Sequence, residues 1–352
     1  MLAVNLARGF YHGLFLFNNF CYLSPTLNYT VMRKVFKVLL IIVLVIVAMI
    51  GVIALYINFR GMPRYTAQKI DIKVDPTPTR IEKGQKLASM LCKTCHYNEQ
   101  TRKFTGKELV EAPQFGKLYS ANITHDSIAG IGKWTDGELI YFIRTGIHPK
   151  RNEYVPPYMP KLIHISDEDL YSIIAFLRSD NDWVKADNTR HPATVPSFLT
   201  KFLLTIGAFK PFEYPKEPIA GPDTTNPLAV GKYIALYQLE CFSCHSRDFA
   251  KNDYLTPEKS PGFFAGGNKL KNAEGKDLVS LNITMDEETG IGRWTEDEFV
   301  KAVRTGMVPD GKAALRYPMI PYASLTEQEV KAVYAYLKTV PKISNKVERK
   351  LD

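Results

Sequence analysis

The sequence predicts an all-α protein in which two tandem helical domains follow an N-terminal transmembrane helix. Three observations predict it: a twenty-residue apolar run near the amino terminus, a set of short motifs that occurs twice, and helix-start residues at matching places in both copies. No stretch alternates between apolar and polar residues as a half-buried strand does. We therefore expect helices to form both domains.

The apolar run spans Val38–Ile57 and carries no charge. At 1.5 Å per residue, a helix of this length is about 30 Å long, which matches the hydrocarbon core of a bilayer. Arg33, Lys34 and Lys37 flank its amino end, so the positive-inside rule puts that end in the cytoplasm and the rest of the chain outside it. A cleavable signal peptide is the alternative, but its apolar region is usually shorter, about 7–15 residues. We expect a retained single-pass anchor.

These features divide the chain into consecutive segments. Residues 1–31 are expected to be an N-terminal extension, either an over-extended gene start or a second apolar segment at the membrane interface. Within the second linker, residues 196–209 are apolar apart from Lys201, and we expect a helix packed between the two domains rather than one lying on the membrane. The other segments are the anchor 32–60, a linker 61–79, the first domain 80–184, a proline-rich linker 185–227, the second domain 228–342 and a tail 343–352.

One five-residue motif occurs twice, as Cys92-Lys93-Thr94-Cys95-His96 and as Cys241-Phe242-Ser243-Cys244-His245. Both match Cys-x-x-Cys-His, the attachment site of a c-type haem. Each thiol can add to one haem vinyl group, two intervening residues let both sulfurs reach one porphyrin edge, and the histidine supplies the proximal iron ligand. Redox dithiols or half of a zinc site are the alternatives. Because the two matches take four of the five cysteines, we predict two covalent haems.

The sequence around each motif is also repeated. Residues 122–124, 130–135 and 144–146 recur as 282–284, 290–295 and 304–306, always 160 positions later. The haem motifs are only 149 positions apart, so the second copy carries eleven extra residues between His245 and Asn282. We interpret these residues as a loop insertion in a second copy of one fold.

Helix-start residues recur at the same offset. In a capping box, two side chains satisfy amide groups at the first turn of a helix. Apolar residues on one helical face follow each of these starts. The boxes are Thr135 with Glu138, Thr295 with Glu298 and Thr326 with Glu329, and a looser pair is Ser166 with Asp169.

The second axial ligand of each iron separates an electron carrier from a site that binds small molecules. No histidine follows His245, so a second histidine ligand from that domain is excluded. Met159 and Met319 are 160 positions apart and lie among prolines, which hold a loop extended and stiff. A lone methionine more often fills a core, but the repeat and the proline setting favour Met159 and Met319 as ligands. Competing candidates in the first domain are His125, His148 and His164.

Together these motifs resemble the cytochrome c domains of the membrane-associated cytochrome subunits of bacterial alcohol, aldehyde and gluconate dehydrogenases. The shared string continues through Pro-x-Met-Pro to a closing helix, here Ala175–Leu177 and Ala335–Leu337, and covers residues 80–340. The resemblance implies class I cytochrome c domains with His/Met haems and electron transfer from a dehydrogenase toward a terminal oxidase. This chain departs from those subunits in having two haem motifs rather than three, an N-terminal anchor, and Pro-Met-Ile-Pro around Met319.

Within that resemblance, six polar side chains are candidates for contacts with the haem propionates. Arginine can hold a carboxylate with two hydrogen bonds, and indole and amide groups each donate to it. The alternative is that Asn-x-Thr builds a turn and that the tryptophan packs beneath it. The candidates are Asn122, Trp134, Arg144, Asn282, Trp294 and Arg304.

We therefore predict a membrane-anchored dihaem cytochrome c, with its haem domains on the periplasmic side of the inner membrane. It would relay electrons from a dehydrogenase to a terminal oxidase or a soluble cytochrome and catalyse no reaction itself. The alternative is a dihaem enzyme, such as a peroxidase, with one open iron site. The net charge of +9 includes five basic residues and no acidic ones in residues 1–60, and the sequence has no basic stripe that suggests nucleic acid.

Overall fold

The amino-terminal unit of the chain contains one long helix, α1 (Tyr29–Phe59), in the part that the structure describes. This computed structural model describes residues 29–110, 112–272, 274–309 and 314–348. Within those ranges, Val31–Phe59 is the one helical stretch long and apolar enough to cross a membrane. It contains the predicted span, and a membrane anchor and a signal sequence both have these properties. Most of the predicted extension (1–28) and the last residues of the predicted tail (349–352) lie outside the described residues.

The second unit, Gly61–Asp352, is built mainly from helices. This unit contains the first repeat, residues 80–184, and the second repeat, residues 228–342. Helices α2 to α5 of the first repeat follow one another in the same order as α7 to α10 of the second. In chain order the helices are α2 (Pro78–Leu91), α3 (Lys93–His96), α4 (Asp136–Thr145), α5 (Asp167–Leu177), α6 (Phe198–Thr205), α7 (Pro227–Tyr233), α8 (Cys241–His245), α9 (Glu296–Thr305) and α10 (Glu327–Leu337).

Short antiparallel strands accompany the helices, and their absence from the sequence prediction was wrong. Each strand is only two to four residues long, too short for an alternating pattern to show. They pair β1 with β2, β2 with β5, β3 with β4, and β6 with β7. Their bounds are β1 (Glu108–Leu109), β2 (Gly116–Tyr119), β3 (Ile147–His148), β4 (Glu153–Tyr154), β5 (Val195–Pro196), β6 (Lys269–Lys271) and β7 (Asp277–Val279).

In each repeat, the helix before the haem motif crosses the last helix at a glycine. A Cβ atom added to Gly84 of α2 would lie 1.8 Å from the carbonyl oxygen of Ser172 in α5. A Cβ atom added to Gly231 of α7 would lie 1.9 Å from the carbonyl oxygen of Ala332 in α10. Glycine therefore lets the two backbones touch, and the two crossings identify Gly84 and Gly231 as equivalent positions.

The predicted capping boxes are present. The side chains of Thr135, Thr295 and Thr326 accept from the backbone N–H three residues later, and each matching glutamate accepts from the cap's own N–H. In the looser pair, the Ser166 hydroxyl accepts from the N–H of Asp169, and the carboxylate of Asp169 bonds elsewhere. These starts are local, so the sequence alone was enough to predict them.

Two hydrogen bonds between helices join the repeats. In each, the helix before one haem motif donates to the last helix of the other repeat. Lys86 of α2 donates to the carboxylate of Glu329 in α10 at 2.6 Å. The hydroxyl of Tyr233 in α7 donates to Asp169 in α5 at 2.7 Å. Apolar residues of both repeats belong to one continuous buried cluster around these contacts. Residues 61–352 therefore form one compact unit rather than two separate ones.

The predicted linker helix is present as α6, and the Thr200 side chain attaches it to the first repeat. The Thr200 hydroxyl donates to the carbonyl of Phe115 at 2.8 Å, and Leu204 is buried. Phe198, Leu199 and Phe202 remain 49%, 43% and 37% exposed. The sequence had led us to expect packing between both domains.

Candidate haem sites

Each Cys-x-x-Cys-His motif forms a single helical turn. In the first repeat, the His96 N–H donates to the Cys92 carbonyl at 2.9 Å, which is the i to i−4 bond of an α-helix. In the second repeat, the same residues form α8. A helical turn places the first cysteine and the histidine one above the other, as a porphyrin edge and its iron require.

The two motif histidines make the same second contact. Nδ1 of His96 bonds the carbonyl of Ala121 at 2.7 Å, and Nδ1 of His245 bonds the carbonyl of Leu281 at 2.8 Å. A carbonyl can only accept, so Nδ1 carries the proton and Nε2 is the nitrogen left for a metal. Burial lowers the pKa of both imidazoles, which favours the neutral, ligating form. Ala121 and Leu281 are 160 positions apart, so both repeats build the same ligand support.

The motif cysteines do not have the electrostatics of redox dithiols. Burial raises the pKa of both Cys92 and Cys241 to about 12, and it also raises the pKa of Cys244. Thioredoxin-like cysteines instead have a lowered pKa, since the thiolate is the reactive form. Among the described residues, no three His, Cys, Asp or Glu side chains cluster as a zinc site would need. The thiols therefore fit thioether attachment better than either alternative.

A glycine closes the loop after each motif at equivalent places. The N–H of Gly106 donates to the His96 carbonyl at 2.9 Å, and that of Gly266 donates to the His245 carbonyl at 2.7 Å. Both glycines have a positive φ, 83° and 69°, which favours glycine. The eleven-residue insertion therefore lies between His245 and Gly266, a narrower range than the sequence had allowed.

The loops that carry Met159 and Met319 are held by the same backbone frame. Both methionines are half-buried. Each loop begins with a hydrogen bond to the glycine that ends the preceding helix and closes with one to the helix itself. These bonds are Val155 N–H to Gly146 O, Leu162 N–H to Ile143 O, Leu315 N–H to Gly306 O and Tyr322 N–H to Val303 O, at 2.8, 3.1, 2.7 and 2.8 Å. The structure thus makes Met159 and Met319 structurally equivalent, as their spacing predicted.

Sequence reasoning missed Lys161, which lies inside the Met159 loop. Its ammonium donates to the carbonyls of Pro156 at 2.9 Å and Met159 at 2.5 Å, and the residue is 5% exposed. It also lies 5.0 Å from the centre of the Tyr154 ring. Burial lowers its pKa to about 7, against the opposing charge of Glu240. Its one sequence signal was a lysine in a proline-rich, otherwise uncharged loop, and at the equivalent position the second repeat has Pro321.

The three competing histidines of the first repeat are bonded within the protein. Nε2 of His125 bonds the Leu177 carbonyl at 2.6 Å, and Nε2 of His164 bonds the Tyr254 carbonyl at 2.9 Å. Nδ1 of His148 accepts from the N–H groups of Lys150 and Arg151. The accepting Nδ1 of His148 leaves its proton on Nε2, so His148 is a poor ligand, while His125 and His164 each keep one ring nitrogen outside these bonds. The assignment of Met159 as the ligand stays a prediction.

The asparagine candidates for propionate contacts form turns instead. The Asn122 amide donates to the carbonyls of Asp187 and Thr189, and its oxygen accepts from the N–H and hydroxyl of Thr124. Asn282 donates to the Thr289 hydroxyl and the Ile343 carbonyl and accepts from Thr284 in the same way. Both amide hydrogens of each asparagine are thus used within the protein, which fits the turn alternative.

The arginine and tryptophan candidates differ between the repeats. Arg144 donates to three carbonyls, of Leu162, Ile163 and Ile165, and to the Asp167 carboxylate at 2.7 Å. Arg304 donates to Glu327 at 3.2 Å, and its buried Nε has no partner among the described residues. Trp134 and Trp294 are half-buried at the start of α4 and α9. Arg144 has little capacity left for a propionate, whereas the contact stays a prediction for Arg304, Trp134 and Trp294.

Comparison with known families gives two matches to one family. The family model described as cytochrome c matches residues 81–180 and again residues 234–341. Together the two matches cover more than half of the chain, and each contains one Cys-x-x-Cys-His motif.

Individual relatives include dehydrogenase subunits and a dihaem protein. The chain is 26% identical to the cytochrome c subunit of a quinone-type alcohol dehydrogenase of Gluconacetobacter polyoxogenes, over 76% of this chain and 58% of that one. It is 26% identical to the gluconate 2-dehydrogenase cytochrome c subunit of Pantoea cypripedii, over 74% and 59%. It is 27% identical to a dihaem c-type cytochrome of Cereibacter sphaeroides, over 72% and 82%. The predicted resemblance to alcohol and gluconate dehydrogenase subunits is confirmed, although the chain spans less than two thirds of their length.

Proposed function

The chain belongs to the cytochrome c family, and on that premise we propose that it is a dihaem electron carrier with one haem c on each repeat. The family implies covalent haem c. The number two is supported by the two motifs, by the two family matches and by the dihaem relative. Each repeat would then be a class I cytochrome c domain.

Each repeat carries the residues that would hold a haem: two thiols, an imidazole and a thioether. Cys92 and Cys95 would form the thioethers of the first site, and Cys241 and Cys244 those of the second. A bound haem supplies a one-electron redox centre whose potential depends on its axial ligands. The imidazoles of His96 and His245 would ligate through Nε2, and the sulfurs of Met159 and Met319 would close the opposite side.

The observation that carries this proposal is the repeated contact of the motif histidine. The bonds from His96 to Ala121 and from His245 to Leu281 fix the orientation and the tautomer of each ring within the protein itself. Metal-bound histidines almost always have such an outer partner. Because both repeats make this contact at equivalent positions, it supports two functional haem sites rather than one.

We further propose a membrane-anchored role between a dehydrogenase and an oxidase or soluble cytochrome. Support comes from the relatives, which are named as subunits of dehydrogenases, and from helix α1, which could cross a bilayer. Three basic residues at the start of α1 would keep that end in the cytoplasm, so both haem sites would lie on the periplasmic side.

An optical spectrum of the oxidised, haem-loaded chain tests the proposal, together with a pyridine haemochrome assay of the haem content. We expect two haems per chain and a weak far-red sulfur-to-iron band, of which Met159→Ala and Met319→Ala each remove about half. Met285→Ala is the matched control and should keep the full band. Met285 is a buried methionine, and the first repeat has His125 at the equivalent position.

Other outcomes point elsewhere. A band unchanged in one ligand variant would remove that methionine from the coordination sphere. A high-spin spectrum of the unmodified chain, or carbon monoxide binding to it without denaturation, would favour the dihaem enzyme with an open iron site.

A further inference from the structure

Lys161 ties together the loop that presents Met159. Its ammonium donates to the carbonyls of Pro156 and Met159, while the N–H of Met159 donates to the Pro156 carbonyl at 3.2 Å. The first and last residues of this four-residue arc are thus joined both through the backbone and through one side chain. Because Lys161 is 5% exposed, water competes little for these donors.

The aromatic ring beside Lys161 supports the same geometry. The ammonium lies 5.0 Å from the centre of the Tyr154 ring, within the range of a cation–π contact. Tyr154 is 3% exposed and belongs to β4, which pairs with β3 directly after α4. The loop is therefore attached through Lys161 to the strand pair that follows α4.

The second repeat has a proline at the position equivalent to Lys161. Pro321 replaces it, and the loop around Met319 is held by the N–H of Ile320, which donates to the Pro318 carbonyl at 3.1 Å. A proline ring contributes stiffness but no hydrogen-bond donor. The two methionine loops thus share a frame and differ in what holds the methionine itself.

We propose that Lys161 is the positioning residue that holds the Met159 sulfur at the iron of the first haem site, a role for which Pro321, at the equivalent position of the second repeat, has no donor. The proposal rests on the proposed function, because it presumes that Met159 is the axial ligand. It assigns a role in ligation to a side chain that lies outside every haem motif.

The charge of Lys161 has a counterpart in the second repeat. Glu240, which directly precedes Cys241, interacts electrostatically with Lys161. Burial raises the pKa of Glu240 to about 8, so removal of the ammonium alone would also change the protonation of this carboxyl, for reasons unrelated to Met159. A variant that removes both charges separates the two effects.

The experiment compares far-red spectra of full-length, haem-loaded chains carrying Lys161→Leu, Glu240→Gln, or both substitutions. We expect Lys161→Leu and the double variant to lose about half of the far-red band, the share of one methionine-ligated haem, and to bind carbon monoxide at about one reduced haem per chain. Glu240→Gln keeps the full band. Lys150→Leu is the matched control, since Lys150 is an exposed lysine in the same repeat that pairs with Glu138.

The outcomes are distinguishable. An unmodified chain without the band would overturn the methionine ligation on which the proposed function rests. A full band in Lys161→Leu, with the unmodified chain behaving as expected, would overturn the positioning role alone. Recovery of the band in the double variant would assign the effect to the charge pair instead. Loss of haem, or of both halves of the band, would mean that Lys161 supports the fold as a whole and would also overturn the proposal.

Discussion

In the first repeat, Arg144 is 1% exposed and holds three carbonyls of the segment that leads into α5, together with Asp167. In the second repeat, the equivalent Arg304 has a side chain that is 33% exposed and makes one longer bond to Glu327. Lys161 and Pro321 differ in the same direction. Two buried cations thus bond the segment between the glycine turn and the last helix in the first repeat, and the equivalent positions of the second repeat hold a partly exposed arginine and a proline. Identical motifs therefore do not imply identical contacts.

The largest expected difference in stability between the two repeats comes from substitution of Arg144 or Arg304. Arg144→Ala would leave Asp167 and three carbonyls without their donor, and we expect it to lower the free energy of unfolding by about 4 kcal/mol. Arg304→Ala removes a partly exposed pair and should cost about 0.5 kcal/mol. Chemical denaturation of the haem-loaded chain measures both. Equal losses of unfolding free energy in the two variants would mean that both arginines stabilise their repeats to the same extent, against this comparison.

A second prediction would sharpen what the repeats share. Alanine at Gly84 or Gly231 forces a Cβ against a backbone carbonyl of the facing helix, and we expect each substitution to cost about 3 kcal/mol in the same assay. Gly221→Ala is the control, because a Cβ there meets its nearest atom only at 3.9 Å. If Gly231→Ala behaved like that control, the two helix crossings would not be equivalent.

The third and smallest effect concerns pH and belongs to the first repeat alone. Burial, assisted by the charge of Arg151, lowers the pKa of His148 to about 4, and its Nδ1 already accepts from two N–H groups. An unfolded histidine titrates near pH 6.5. The contribution of His148 to stability is therefore present above about pH 6.5 and is lost as the pH falls toward 4, by about 2 kcal/mol.

His148→Asn keeps an acceptor for these N–H groups and removes the titration. The difference in unfolding free energy between the unmodified chain and this variant should change with pH only in that window. Val308 occupies the equivalent place in the second repeat, which therefore contributes nothing of this kind. A difference that is constant from pH 7 to pH 4 would contradict the lowered pKa.

What the sequence could predict was local or repeated. The caps at Thr135, Thr295 and Thr326 depend on residues three apart, and the equivalence of Met159 and Met319 follows from one constant offset. Both are therefore visible without a fold. The matching frame of hydrogen bonds around the two methionine loops agrees with that offset.

What the sequence could not predict depends on distant partners. The turn bonds of Asn122 reach Asp187 and Thr189, more than sixty residues away, so the choice between a turn and a propionate contact was open. Lys161 bonds only nearby carbonyls, but its surroundings include the Tyr154 ring and the charge of Glu240, which lies 79 positions later in the chain. The strands escaped prediction because pairs such as β3 with β4 are too short to have a periodic pattern.

The contacts between the repeats have a consequence for assembly. Because Gly84 matches Gly231, Lys86 matches Tyr233, and at the offset of 160 Asp169 matches Glu329. The Lys86–Glu329 and Tyr233–Asp169 bonds are therefore one contact made twice, with the partners exchanged. A twofold-symmetric dimer has this arrangement, and here both copies belong to a single polypeptide. Such an interface is closed, since each copy already covers the matching surface of the other. A third copy could not be added through the same surface, so this contact alone limits the array to two.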